Sequence, residues 1–384
     1  MNSGFVADPG KASPRVFFGG GRRPPGNLRE LLLERIAAVP AGGSIDWVTY
    51  YLRDYGLAEA LVAARRRGVR VSVTVEKRPR TGGANREIAS FLAAAEGLGS
   101  GFRQLSLPRL PYGLFSPRLH GKLYCFSHPR PGALIGSFNP SGSGIECGAA
   151  REEREKAIIA EIGDQDRGYN YLVELTEEKL VAGLVLHARW LHRLRPGWGL
   201  RADFYLNRHL KAGETEVFFW PRVRPHPVFK LLRRLGPGTR VRLAASHLRG
   251  MEVVGRLLGL VRMGLELEII AEATERRVPA RVEENFRRVG VSFRRVGLDS
   301  GLPMHDKFVL VSRRDEHWVA FGSFNWTTRS RWFNYEIGAL STSPGLYQVF
   351  TERWRELEMA AGLRPVGASP AADKSTCLRA GKAC

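Results

Sequence analysis

The sequence predicts an α/β protein built as two similar halves, and three observations predict it. Residues 45–76 align with residues 241–272 without a gap at an offset of 196, so that Leu52-Arg53 falls on Leu248-Arg249, Gly68 on Gly264 and Glu76 on Glu272. Within each stretch a β-rich run, a helical run and a second β-rich run follow one another, the β-α-β order that builds parallel sheets. A polar cluster then occurs once per half: His120, Lys122, Gly136, Ser137 and Asn139 in the first, His305, Lys307, Gly322, Ser323 and Asn325 in the second. Equivalent clusters in equivalent halves meet at one interface if the halves are related by a pseudo-two-fold axis.

Taken in order, residues 1–13 read as a flexible N-terminus, 14–200 as the first half, 201–363 as the second and 364–384 as a disordered tail. Val16-Phe17-Phe18 is a strand, mirrored by Val217-Phe218-Phe219. A Gly/Pro/Arg-rich turn leads into a helix over Leu28–Val39, whose apolar residues recur at helical spacing. Ile45–Leu52 is rich in β-formers, and Leu57–Arg67 is a helix. Gly68 suits the left-handed residue after its C-terminus, and Arg65, Arg66 and Arg67 face the negative end of its dipole. Val69–Val75 completes the unit. The polar clusters are offset by only 185, so the first half carries about 11 extra residues, placed within 77–118.

The second cluster lies in MHDKFVLVSRRDEHWVAFGSFNWTTRSRWFNYE, residues 304–336, and the first in LHGKLYCFSHPRPGALIGSFN, residues 119–139. Alternation across His305, Lys307, Val309 and Val311 puts the polar pair on one strand face. A second strand, Trp318–Phe321, delivers Ser323 and Asn325 beside it at a Gly-containing turn. One His-x-Lys alone reads equally well as a solvated pair on a surface strand. The matched pair does not, because His and Ser are 18 residues apart in one copy and 17 in the other. An imidazole, an ammonium and an amide converging on a small volume suit a phosphate: Lys and Asn donate to anionic oxygens, and His attacks or carries protons.

Composition bounds the partners. Lys and Arg number 59 against 38 acids, a formal charge of +21. That excess attracts phosphate-rich partners, nucleic acid or an anionic membrane surface, without choosing between them; because the charge is spread along the chain, a generally Arg-rich composition is the plainer alternative. With 43% hydrophobic residues the chain is globular. The opening residues show no cationic region followed by an apolar one, and no run of about 18 apolar residues occurs, so neither a signal peptide nor a transmembrane segment is expected. The expected location is cytoplasmic, peripheral on a membrane if the substrate is lipid. The 4 cysteines show no Cys-x-x-Cys spacing and argue against zinc; Cys377 and Cys384 sit in a polar tail. His187 and His192 are five apart on a predicted helix and do not share a face, so no metal role is assigned to them. No cofactor is expected.

The paired HGK…GSFN and HDK…GSFN, the repeated halves and the phrase RRRGVRVSV before the first motif resemble the phospholipase D superfamily over most of residues 14–363. The resemblance implies an α/β/α sandwich for each half, one active site between them and a metal-independent reaction through a phosphohistidine. It also implies catalytic roles for His120, Lys122, Asn139, His305, Lys307, Asn325 and Glu336. Two departures stand out. The family's Asp, five residues after Lys, is Ser127 in one copy and Ser312 in the other. The carboxylate that orients a histidine is Glu336 in the second copy, whereas Leu172 falls at that place in the first, with Glu146, Asp166 and Glu174 as possible substitutes.

The expected function is cleavage or transfer of glycerophospholipid head groups by a monomer, because two motifs in one chain favour lipid enzymes. The alternatives are a metal-independent nuclease, supported by the charge, and a non-catalytic binding module, kept open by the missing carboxylate. A basic groove through the cleft favours the nuclease and a deep apolar slot the lipid enzyme. In proteins the chain resembles, the carboxylate often reaches the histidine of the other half, which makes His120 the expected nucleophile and His305 the general acid. Expected on the substrate side are Ser137, Ser323 and Trp326, together with Tyr51 and His247, which share one repeat position at matching strand ends where α/β sheets bind ligands. Trp332 and Phe333 flank the second motif, with core packing an equal reading.

Overall fold

In the computed structural model, which describes residues 14–107, 117–142, 165–194, 208–297 and 302–362, each half of the chain forms its own mixed sheet. The first contains β1 (Arg15–Gly19), β2 (Ser44–Thr49), β3 (Arg70–Glu76), β4 (Phe102–Leu105), β5 (Leu123–Phe126), β6 (Gly132–Gly136) and β7 (Asn170–Leu175) in the order β1-β7-β6-β5-β2-β3-β4. The second contains β8 (His209–Ala212), β9 (Thr215–Trp220), β10 (Arg240–Ala245), β12 (Glu266–Glu272), β13 (Ser292–Val296), β14 (Lys307–Arg313), β15 (Glu316–Gly322) and β17 (Glu336–Ser341). Its order, β8-β9-β17-β15-β14-β10-β12-β13, repeats that of the first sheet with β8 added at one edge. Two short strands, β11 (Leu248–Arg249) and β16 (Trp326–Thr327), pair with each other.

The sheets are not wholly parallel as a chain of β-α-β units would make them. Within the two large sheets only β2-β3-β4 and β10-β12-β13 are parallel among the described strands. The motif strands β5 and β6, and likewise β14 and β15, are antiparallel, because the few residues joining each pair allow a hairpin but no crossover.

Helices cover both faces of each sheet. On the outer face of the first lie α1 (Asn27–Ala37), α2 (Tyr55–Arg66) and α3 (Arg86–Ala93). The long α4 (Glu178–Arg193) packs on its inner face. The outer face of the second sheet carries α5 (Pro227–Leu235), α6 (Met251–Arg262) and α7 (Ala280–Arg287). A short α8 (Thr328–Trp332) follows the second motif, and α9 (Pro344–Gly362) packs on the inner face. The inner faces, α4 and α9 share one apolar interior, in which Phe18, Leu123 and Tyr171 of one half join Phe219, Phe308, Phe350 and Trp354 of the other. Burial of this interior locks the halves together.

Local chemistry explains the helix ends. Asp54 caps α2 by accepting from Leu57 N at 2.9 Å and also takes the Arg29 Nε–H at 2.6 Å. Gly68, at φ +89°, ends the same helix as its position predicts. The two predicted helical histidines serve packing: His187 stacks on Phe219 at 4.0 Å between ring centres, and His192 Nδ1 meets Thr74 Oγ1 at 3.0 Å.

One buried ion pair ties α9 to the second motif. Arg353 gives its Nε–H to Asp306 at 2.7 Å, and neither side chain is exposed to solvent. The same guanidinium donates to Gly19 O at 2.7 Å, at the end of β1 in the first half, and to Glu356 at 2.9 Å. Among the described residues no helix is long and apolar enough to cross a membrane.

Candidate active site

The two motifs meet across the interface by backbone pairing. His120 N and Gly121 N each donate to Tyr335 O at 2.8 Å, and Tyr335 N donates to Arg118 O at 2.8 Å. The equivalent contact runs the other way, from His305 N to Tyr169 O at 2.8 Å, with Tyr169 N donating to Pro303 O at 2.9 Å. Each histidine is thus placed by the segment that opens the last strand of the opposite half.

The side chains repeat this exchange. Glu336, at the start of β17, accepts from His120 Nδ1 at 2.8 Å. Its carboxylate also takes Ser323 Oγ–H at 2.6 Å, Ser330 Oγ–H at 2.8 Å and Asn334 Nδ2–H at 3.2 Å, so its acceptor sites are filled. Asn170, at the start of β7, takes the same place opposite His305, with its Oδ1 2.9 Å from Nδ1. The Asn170 amide is oriented by Gln165 O, which accepts from its Nδ2 at 3.2 Å, and by Ser137 Oγ, which donates to its Oδ1 at 3.3 Å. Both histidines therefore carry their proton on Nδ1 and have Nε2 left for chemistry.

This corrects the expected alignment. The residue equivalent to Glu336 is Asn170 and not Leu172: Asn170 pairs with Gly19 at the first position of β7, as Glu336 pairs with Trp220 at the first position of β17. The place on His305 Nδ1 is taken by Asn170 and not by a candidate carboxylate. Glu174 is held by Arg15 and Arg35 at the far end of β7, and Asp166 lies against Gly142; Glu146 lies outside the described residues.

The lysines lie beneath the histidines. Lys122 Nζ donates to His120 O at 2.6 Å and Lys307 Nζ to His305 O at 2.6 Å, which leaves further N–H donors on each ammonium. Asn139 and Asn325 are buried in the cleft wall, and their side-chain oxygens have no partner among the described residues. The motif glycines are required by close approach: a Cβ at Gly136 would lie 2.2 Å from Tyr171 O, and one at Gly322, where φ is +137°, would lie 2.3 Å from Ile337 O.

Burial dominates the electrostatics. It pulls His120 down to about 4, although Glu336 works in the opposite direction. It lowers Lys122 to about 7, again against Glu336. His305 and Lys307 fall well below their usual values, first through burial and then through the neighbouring cations Lys307, Arg277 and Lys122. Burial alone would raise Glu336, yet His120 and Lys122 hold its carboxyl below the usual range. The site is therefore short of negative charge, the condition that an anionic ligand relieves.

Both histidines open on one cleft, together with Tyr51, Asn139, His247 and Asn325. Six arginines, Arg80, Arg118, Arg249, Arg276, Arg277 and Arg329, also line it, and no described lining residue is acidic. Three expected substrate contacts are placed elsewhere. Ser137 and Ser323 hold Asn170 and Glu336. Trp326 packs in the outer core against Phe229, because pairing of β16 with β11 turns it inward. Trp332 Nε1 donates to Glu252 at 2.6 Å. Ser127 Oγ accepts from Ser44 N at 2.7 Å at the end of β5 away from the cleft, a structural role.

Some site residues carry no signal in the motifs. Tyr50 lies 5.1 Å from the His120 ring between centres and under Lys122 Nζ at 5.6 Å. Tyr171 OH donates to Lys307 O at 2.7 Å and accepts from Gly322 N at 2.8 Å, joining β7 to the second motif.

Residues 233–357 match a family described as cardiolipin synthase, phospholipase D-like domain. No curated protein matches the chain. Among solved structures it is similar to polyphosphate kinase from Porphyromonas gingivalis, at 16% identity and a TM-score of 0.58, over 90% of this chain and 46% of that one. The chain thus spans less than half the length of that kinase. It is also similar to phosphatidylserine synthase from Haemophilus influenzae, at 14% identity and a TM-score of 0.59, over 89% of this chain and 85% of that one. At these identities the likeness is one of fold.

Proposed function

We propose that the chain, of which residues 233–357 match a phospholipase D-like family, cleaves phosphodiesters, or transfers their phosphoryl part, through a phosphohistidine on His120. The observation that carries this reading is the reciprocal holding of the two histidines, with Glu336 on His120 and Asn170 on His305. His120 Nε2 attacks phosphorus, the P–N bond forms and the P–O bond to the leaving group breaks on the opposite side. The Glu336 carboxylate balances the charge that His120 gains. Lys122, Lys307, Asn139 and Asn325 donate to the non-bridging oxygens. In the second half-reaction water or an alcohol gives its proton to His305 Nε2 and attacks phosphorus, and the P–N electron pair returns to His120.

The arginine-lined wall favours a diester that sits among other negative charges, as in nucleic acid. A second reading, glycerophospholipid, draws on an exposed apolar side chain near the cleft. Met251, two residues after the lining residue Arg249, is 89% exposed. Incubation with plasmid DNA and with mixed phospholipid vesicles, each in chelator, separates the readings. Nicking of DNA is the expected result; head-group release alone would select the lipid, and turnover of neither would remove both.

Charge neutralisation here rests on lysines and amides, so activity is expected to survive exhaustive chelation; complete loss restored by a divalent ion would contradict the mechanism. The pH profile of kcat/KM should be a bell. It rises through about 4 as His120 loses the proton that blocks attack, and it falls through about 7 as Lys122 loses the charge that neutralises phosphate. A bound anion favours the ammonium, so the upper limb of kcat should lie at higher pH than that of kcat/KM.

A further inference from the structure

The arginines of the cleft are not spread evenly around the two histidines. Tyr50, whose ring stands 5.1 Å from that of His120 between centres, positions two of them through its hydroxyl. It accepts from Arg80 N at 2.6 Å and from Arg118 Nη1 at 3.5 Å. The second half brings two more to the same rim. Pairing of β11 with β16 sets Arg249 beside Thr327, and Arg329 follows two residues later in α8. Arg249 is steadied from behind, where its Nη1 donates to Arg276 O at 3.1 Å.

Guanidinium groups from both halves therefore crowd together. Arg249 falls below its usual pKa first through burial and then through Arg80 and Arg329. Arg329 does so first through burial and then through Arg118 and Arg80, against Tyr50. Arg80, Arg249 and Arg329 nevertheless stay exposed at the cleft, within reach of a ligand. Repulsion of this kind is relieved when an anion binds among the cations.

The repeat shows that the gathering is one-sided. Arg80 has a counterpart in Arg276, but Arg118 corresponds to Pro303 and Arg329 to Ser143. Arg249 corresponds to Arg53, which is buried and donates to Ser141 O at 3.1 Å. On the His305 side, Arg277 meets Glu272 at 3.5 Å. Two-fold symmetry suits the scissile phosphate alone; cations added on one side suit a second phosphate.

If His120 attacks in line, as the proposed function holds and as this inference requires, the leaving oxygen points away from His120. A group reaching the His120 side then belongs to the part of the substrate that stays on the enzyme. We propose that Arg80, Arg249 and Arg329, backed by Arg118, form a second phosphate subsite, which takes the phosphate adjoining the scissile one on the retained portion of a nucleic-acid strand. A strand then binds in one direction, and a lipid with a single diester leaves the subsite empty.

The test uses thymidine carrying a nitrophenyl phosphate on its 3′ or its 5′ hydroxyl, with and without a phosphate on the other hydroxyl. What is read is the ratio of kcat/KM between each phosphorylated ester and its parent. For the wild-type protein at low salt the ratio should reach about tenfold in at least one pair, the joint effect of several exposed ion pairs. It should shrink as salt is added. Arg249→Gln and Arg329→Gln should each cut the ratio by about threefold, whatever they do to the parent. Arg249→Lys should keep more of it than Arg249→Gln. Arg233→Gln, at an exposed position of α5, should leave the ratio as it is and so separates the subsite from net charge. A phosphate carried instead on the leaving phenol should be indifferent to the Arg249 and Arg329 substitutions. A wild-type ratio near one in both pairs, a ratio that survives both substitutions, or a loss confined to the phosphorylated phenol would overturn the inference, while turnover of the parents leaves the proposed function standing. Turnover of none of the esters would remove the proposed function, and the inference with it.

Discussion

A His120→Ala variant is expected to form no phosphoenzyme and to lose turnover by about 10⁴-fold or more, the scale seen when a nucleophile held by its own orienting group is removed. The cause is local. His120 is the histidine with a carboxylate on Nδ1, and that carboxylate is itself fixed by Ser323, Ser330 and Asn334. Glu336→Gln should retain the shape and lose the charge that balances the imidazolium, reducing turnover by about 10²–10⁴-fold. His305→Ala, by contrast, should still give a trapped adduct from a nitrophenyl ester. Mass spectrometry of quenched protein reads all three. Label retained in His120→Ala and lost in His305→Ala would exchange the two roles.

The second large effect is on stability. Arg353→Met keeps the volume of the side chain but leaves the Asp306 carboxylate buried without its cation, and should lower stability by about 3–5 kcal/mol. It also removes a donor to Gly19 O, so the loss falls on the contact between the halves. Denaturant unfolding followed by tryptophan fluorescence would show an earlier transition than in the wild type. Pairing it with Asp306→Leu should recover much of the loss, since the charge left alone is then gone. An unchanged midpoint in Arg353→Met would mean that the pair is not the buried tie described above.

The fold was legible because duplication leaves a ruler. The offset of 196 that aligned residues 45–76 with 241–272 places β2 on β10 and β3 on β12. It also carries information that motif reading does not use: Arg80 and Arg276 share a repeat position and line the same cleft. The arginines look scattered in the chain because Arg80 follows β3, Arg118 precedes β5, Arg249 ends β11, Arg276 and Arg277 follow β12 and Arg329 lies in α8, and only the fold gathers them. The ruler fails where the halves differ in length. Asn170 follows Asn139 by 31 positions in the first half, whereas Glu336 follows Asn325 by 11, so spacing could not place the orienting residue. Matching Asn170-Tyr171 to Asn334-Tyr335 gave Leu172; matching Tyr169-Asn170 to Tyr335-Glu336 gives the observed register. Trp326 departs from its expected place for a different reason. Proximity to a motif in sequence does not decide which way a side chain faces, and its backbone pairing with Leu248 turns it into the core.

The crossing of the orienting residues bears on how such a site can change over generations. Each of Asn170 and Glu336 serves one histidine only, and each belongs to the half that does not carry it. In a dimer of identical chains, a substitution at that position would alter both histidines together, so a better leaving-group side would come with a worse attacking side. Fusion of the two copies removes that coupling. One copy can retain the carboxylate that the nucleophile needs while the other drifts, and the two histidines become separately heritable traits within one gene.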